Sequence, residues 1–151
     1  MPGRPKNSKI LQNEINIACD FITGKIQSKN KAHLNEEDLT RFHSALLDIF
    51  TFQTDHMWSK QTRNENFMNY IHTSAAAPSS VVWQACITSA VCPYLLHHLL
   101  TQNEILVVIK PNCVYATVDK KTFLLYQSGI RYLNELYSYG YKYSCYRSLQ
   151  N

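Results

Sequence analysis

His97-His98 is the one adjacent histidine pair in the chain, and the first place to look for metal or proton chemistry. Neighbouring helical residues diverge by ~100° around the axis, so the two imidazoles cannot close on one ion. The pair reads as one solvated and one half-buried histidine. Five cysteines follow in interest: Cys19, Cys86, Cys92, Cys113 and Cys145. No two stand in C-x-x-C spacing and their count is odd, so neither a zinc site nor a disulfide framework is suggested. Cys86 with a distant histidine is the one conceivable nucleophile and base, but no basic neighbour or helix N-terminus activates it. Reduced, partly buried thiols in an intracellular protein are the expectation. Glu36, Glu37 and Asp38 fit helix capping better than acid/base work, and the four glycines (Gly3, Gly24, Gly129 and Gly140) build no phosphate-cradling loop. The expectation is a non-enzyme with no catalytic residue, no metal and no cofactor.

Recognition chemistry is the remaining option. Tyr132, Tyr137, Tyr139, Tyr141, Tyr143 and Tyr146 crowd the C-terminal stretch beside Arg131, Lys142 and Arg147. Aromatic faces can stack on unpaired bases while the cations hold phosphates, which makes RNA a possible partner. Packing on a sheet, or homotypic contact, uses the same side chains. Leu96-x-x-Leu99-Leu100 has the spacing of a groove-docking helix and equally that of a core-facing one. The net charge of +4 permits weak contact with acidic partners without demanding it.

The elements that must position these residues come from periodicity. The 151 residues, 45% hydrophobic and 17% charged, suit one domain with a real core. Residues 1–9 read as a flexible basic arm without a signal-peptide stretch, and no apolar run approaches the ~18 residues of a membrane span. Leu11, Ile15, Ala18, Phe21 and Ile22 predict a first helix ending between Gly24 and Gln27. Asn35 caps a second helix, with Leu34 and Leu39 as a staple, and Leu39, Phe42, Leu46 and Ile49 on one face with Phe50 beside them. The stretch 56–66 reads as polar and irregular, and 67–73 as a strand. Ser79 or Ser80 caps a third helix to Ser89, and Pro93 opens a fourth to Leu100. Strands are expected at 105–109, 112–118 and 122–127, cornered at Lys110-Pro111-Asn112 and turned at Asp119-Lys120-Lys121. Helices first, then a small meander, is the order of an α+β fold: an antiparallel N-terminal helix pair and further short helices on an antiparallel sheet. Residues 10–128 form the domain and 129–151 a Tyr-rich extension.

Across residues 14–127 the chain resembles the BTG/Tob anti-proliferative family. Glu14-Ile15 with Ala18 and Phe21-Ile22 is similar to the family's opening helix. His56 and Trp58 resemble the start of its first signature box. Trp83-Gln84-Ala85-Cys86 with Ser89, and Leu96-His97-His98-Leu99-Leu100, resemble its next two helices. Pro111 and Val114 occupy its second box, and Leu124-Leu125-Tyr126 resembles its closing strand. The resemblance implies an adaptor of cytoplasm and nucleus that joins the deadenylase subunit of the Not complex to RNA-binding or transcription factors. It also implies departures. Gln61, Thr62, Glu65 and Asn69 replace the family's first-box residues, with Tyr70 one place from the family's tyrosine. Val108 stands at its tryptophan, Lys110 at its aspartate and Cys113 at its glutamate. The expected interaction surface is Trp58, Tyr70, Val108, Lys110 and Pro111, with Leu96, Leu99 and Leu100 as a second edge. The deadenylase contact is expected to be weakened or altered. The alternative is an RNA-binding or self-assembling cell-fate regulator, like the Tob-like sperm-fate protein of nematodes.

Overall fold

The computed structural model describes residues 11–29, 34–60, 66–100 and 102–132. Helix α1 (Gln12–Lys29) and helix α2 (Glu36–Lys60) form the N-terminal pair. Strand β1 (Asn69–Thr73) follows, then α3 (Ser80–Ser89) and α4 (Pro93–Leu100). A meander closes the fold: β2 (Ile105–Lys110), β3 (Cys113–Val118), β4 (Lys121–Gln127) and β5 (Ile130–Arg131). The sheet order is β1-β2-β3-β4-β5, antiparallel throughout. The architecture is the expected α+β arrangement.

α1 runs past its predicted end and carries Thr23, Gly24 and Lys25 inside. Its burial extends around most of its circumference, because α2, α4 and the inner sheet face all pack on it. A glycine inside a helix costs about 1 kcal/mol against alanine, and Gly24 is buried at that position. α2 also overruns its expected end. The stretch 56–60, expected to be irregular, continues the helix to Lys60, since no proline or glycine breaks it and Thr54, Asp55, Met57 and Trp58 still face the protein. Asn35 caps α2 as expected: its Oδ1 accepts from the Asp38 amide at 2.7 Å, and the Asp38 carboxylate accepts from the Asn35 amide at 3.3 Å. Ser79 caps α3, its hydroxyl accepting from the Val82 amide at 3.2 Å.

The turns fix the meander. Asn112 has φ 66, so Pro111-Asn112 gives a proline followed by a left-handed residue. Asp119 and Lys120 have φ 50 and 71, and Ser128 and Gly129 have φ 51 and 89, the left-handed pairs that two-residue hairpins favour. The core holds Phe42, Phe50, Ile15, Ile22, Ile71, Val107 and Ala116 between helices and sheet. Leu96, Leu99 and Leu100 belong to it as well.

Candidate functional site

Tyr70 stands directly opposite Val108, Val108 opposite Tyr115, and Tyr115 opposite Leu124. Opposed residues share a face. These four therefore make one row across four strands, on the face turned away from Ile71, Val107 and Ala116. Tyr70 is 54% exposed and Leu124 41%, whereas Val108 is only 3% exposed because it sits between two tyrosines. Half-buried Lys110 and Pro111 close the end of β2, with half-buried Cys113 opposite Lys110. The sheet thus brings together Tyr70, Val108, Lys110 and Pro111, four of the residues expected to dock a partner.

The other expected contacts lie elsewhere. Trp58 is on the last turn of α2, helical rather than on an irregular loop. Its indole meets the Phe67 ring edge to face, with centroids 5.0 Å apart, and its buried Nε1 has no hydrogen-bond partner among the described residues. It supports the segment from which β1 emerges. Leu96, Leu99 and Leu100 are 0%, 4% and 0% exposed, so the leucine spacing of α4 serves the core and offers no docking edge. His97 is half-buried against Trp83 and His98 is exposed. Gln61, Thr62 and Glu65, the arm 1–9 and the tyrosines from Tyr137 onward lie outside the described residues.

Tertiary contacts that local patterns do not announce hold this face. The Glu14 carboxylate, buried in α1, accepts from the Asn112 amide at 2.7 Å, and the Asn112 carbonyl accepts from the Ser128 amide at 2.8 Å. The turn beside Lys110 is therefore tied to the first helix and to β4–β5. Asn69 donates to Gln53 and Thr54 and so fixes β1 to α2. Asp20 holds both His43 and Arg131 at 2.8 Å, linking α1, α2 and β5. At the opposite end of the sheet, Lys25 donates to Asn103 at 2.8 Å, Asn103 donates to Asp119, and the Glu104 amide donates to Asp119 at 3.1 Å. Burial, with Lys29 nearby, pulls the Lys25 ammonium down to about 8, against the pull of Asp119. The hydrogen bonds from Glu104 and Asn103 hold the Asp119 carboxyl below its usual range.

The two buried thiols, Cys19 and Cys86, are poorly suited to reaction. Burial pushes the Cys19 thiol well up, with Asp20 adding, and burial beside Cys92 pushes Cys86 up to about 12. Among the described residues no group of three or more His, Cys, Asp or Glu could hold a metal ion. No described helix is long and apolar enough to cross a membrane. What the outer face offers is shape, aromatic surface and one cation.

A search of curated proteins finds no match to the chain. The model of the BTG family matches residues 11–126, which takes in the helix pair, both short helices and the first four strands to within one residue of their end. A match over that much of the chain, in the same span as the fold just described, settles its kinship: the chain belongs to the BTG family.

Proposed function

We propose that this BTG-family chain is a non-enzymatic adaptor whose docking patch is the outer sheet face at Tyr70, Val108, Lys110 and Pro111. At the level of the family its role is anti-proliferative. The finer reading is a link between the deadenylase subunit of the Not complex and RNA-binding or transcription factors, in cytoplasm and nucleus. The observation that carries it is the pairing of Tyr70 with Val108, which sets the two altered signature boxes side by side.

The contact is a weakened or redirected one. A tryptophan at the Val108 position would reach beyond its tyrosine neighbours, whereas valine lies buried between them at 3% exposure. Loss of a buried tryptophan anchor costs an interface ~2 kcal/mol or more, about 30-fold in Kd. Lys110 in place of an aspartate inverts the charge at the rim, which changes the partner preferred more than it changes affinity.

Titration of the purified deadenylase subunit tests this. The double variant V108W/K110D should bind about 30-fold more tightly than the wild type. Tyr70→Ala, at an exposed position, should weaken whatever binding the wild type has. Equal affinity of all three chains would refute the patch, and no binding by any of them would refute this partner.

A further inference from the structure

Among the described residues the edge of β1 presents unpaired main-chain groups to a groove that shares Tyr70 with the outer-face patch but does not rest on that patch's docking role. A two-residue loop closes on a hydrogen-bonded pair, here Lys110 and Cys113. Pairs alternate along an antiparallel ladder, so Val108 and Leu106 spend their N–H and C=O on β3. Ile109, Val107 and Ile105 spend theirs on Asn69, Ile71 and Thr73 of β1. Tyr70 and His72 are left aiming their main-chain groups away from the sheet. The Tyr70 amide shows this direction by donating to the Asn69 side chain at 2.8 Å. Among the described residues nothing pairs with the Tyr70 carbonyl or with the amide and carbonyl of His72. β1 also lacks the usual guards of an edge strand, having no proline, no lysine and no bulge.

Beside this edge lies a groove of about 440 Å³. Gln53 and Met57 of α2 form one wall, and Pro78, Ser80 and Val81 at the entry to α3 form another. Among the described residues no Lys, Arg, Asp or Glu lines it. A phosphate or a charged side chain would lose hydration there with no counter-ion in return. An uncharged main chain would gain a donor and two acceptors set in a line. We infer that this groove binds an uncharged, extended peptide segment of a protein partner as an added strand on β1. Its inward side chains would lie against Met57 and Val81.

The test uses the full chain and a capped heptapeptide of alternating valine and threonine. Exchange of the His72 amide should slow about tenfold at a peptide concentration about nine times Kd, with resonance shifts at Ser80 and Val81. A peptide N-methylated at every residue should have no effect, since no amide is then left to bond to the Tyr70 or His72 carbonyl. His72→Pro removes the donor at an edge position where no ladder bond is lost, and should abolish the shifts while leaving the helical circular dichroism unchanged. Ser80→Trp, at an exposed groove position, should abolish them independently should the proline variant misfold. Absence of any peptide effect, equal effect of the N-methylated peptide, or binding that survives Ser80→Trp overturns the proposal. So does a His72 amide already protected in the free chain, which would mean that the chain covers its own edge.

Discussion

Glu14 is a case where one residue's chemistry lies far from its place in the chain. The Glu14-Ile15 pair is recognisable as an opening motif, yet its purpose is an amide 98 positions away at Asn112. No local pattern encodes such a contact. The carboxylate is buried and charge-assisted, so its removal strands the turn amide. Glu14→Ala should cost about 1–3 kcal/mol in urea unfolding, and Glu14→Gln, which keeps an acceptor, clearly less. Equal losses would mean that the side chain matters only as packing. Val108 makes the complementary point. Its apolar strand was legible, as was the corner after it, but its near-complete burial depends on tyrosines contributed by both neighbouring strands.

Among the elements, those with a chemical start signal were the most legible. Asn35 and Ser79 announce α2 and α3 because a short polar side chain answers the free amides of a first turn, and both do so in the structure. Ser79→Ala should lower stability by about 0.5–2 kcal/mol, read from the urea midpoint at unchanged slope. A shift in slope instead would mean that α3 had detached from the cooperative unit. Ends were harder. α2 continues through His56-Met57-Trp58 because packing sustains a helix after its apolar rhythm fades, and the missing signal was simply the lack of a breaker. α1 runs through Gly24 for a similar reason. β5, at two residues, is too short to carry a period, and its place is set by the Arg131–Asp20 ion pair and by the Tyr132 amide donating to Leu125.

For the molecule as a whole, the order of strands follows the order of the chain, which is why the meander could be read from its turns. What could not be read is the network joining the far ends. Lys25, 1% exposed, reaches Asn103 and through it Asp119, binding α1 to the sheet. This has a pH signature. Below about pH 8 the ammonium is charged in both states, and the folded chain bears the full cost of burying it. Between about 8 and the ordinary 10.5 the unfolded chain keeps a proton that the folded chain releases, so this group's contribution makes stability rise with pH. Lys25→Met should therefore be at its most favourable relative to wild type at neutral pH. That advantage should shrink across the window by up to about 3 kcal/mol, measured by urea unfolding at a series of pH values. A constant difference between the two chains would place the titration elsewhere.

The central position of α1 has a consequence for biogenesis. This helix is synthesised before any of the strands that enclose it, and the first of its meander partners, Ile105, is translated 76 residues after Lys29. At ~5–20 residues per second the ribosome needs roughly 4 to 15 seconds to cover that distance, a long wait for a helix that the folded chain buries on most sides. During that interval only α2 and, late in it, the short helix α4 can shelter it, so holdase chaperones should engage stalled chains cut before β2 and let go of those that extend past β4.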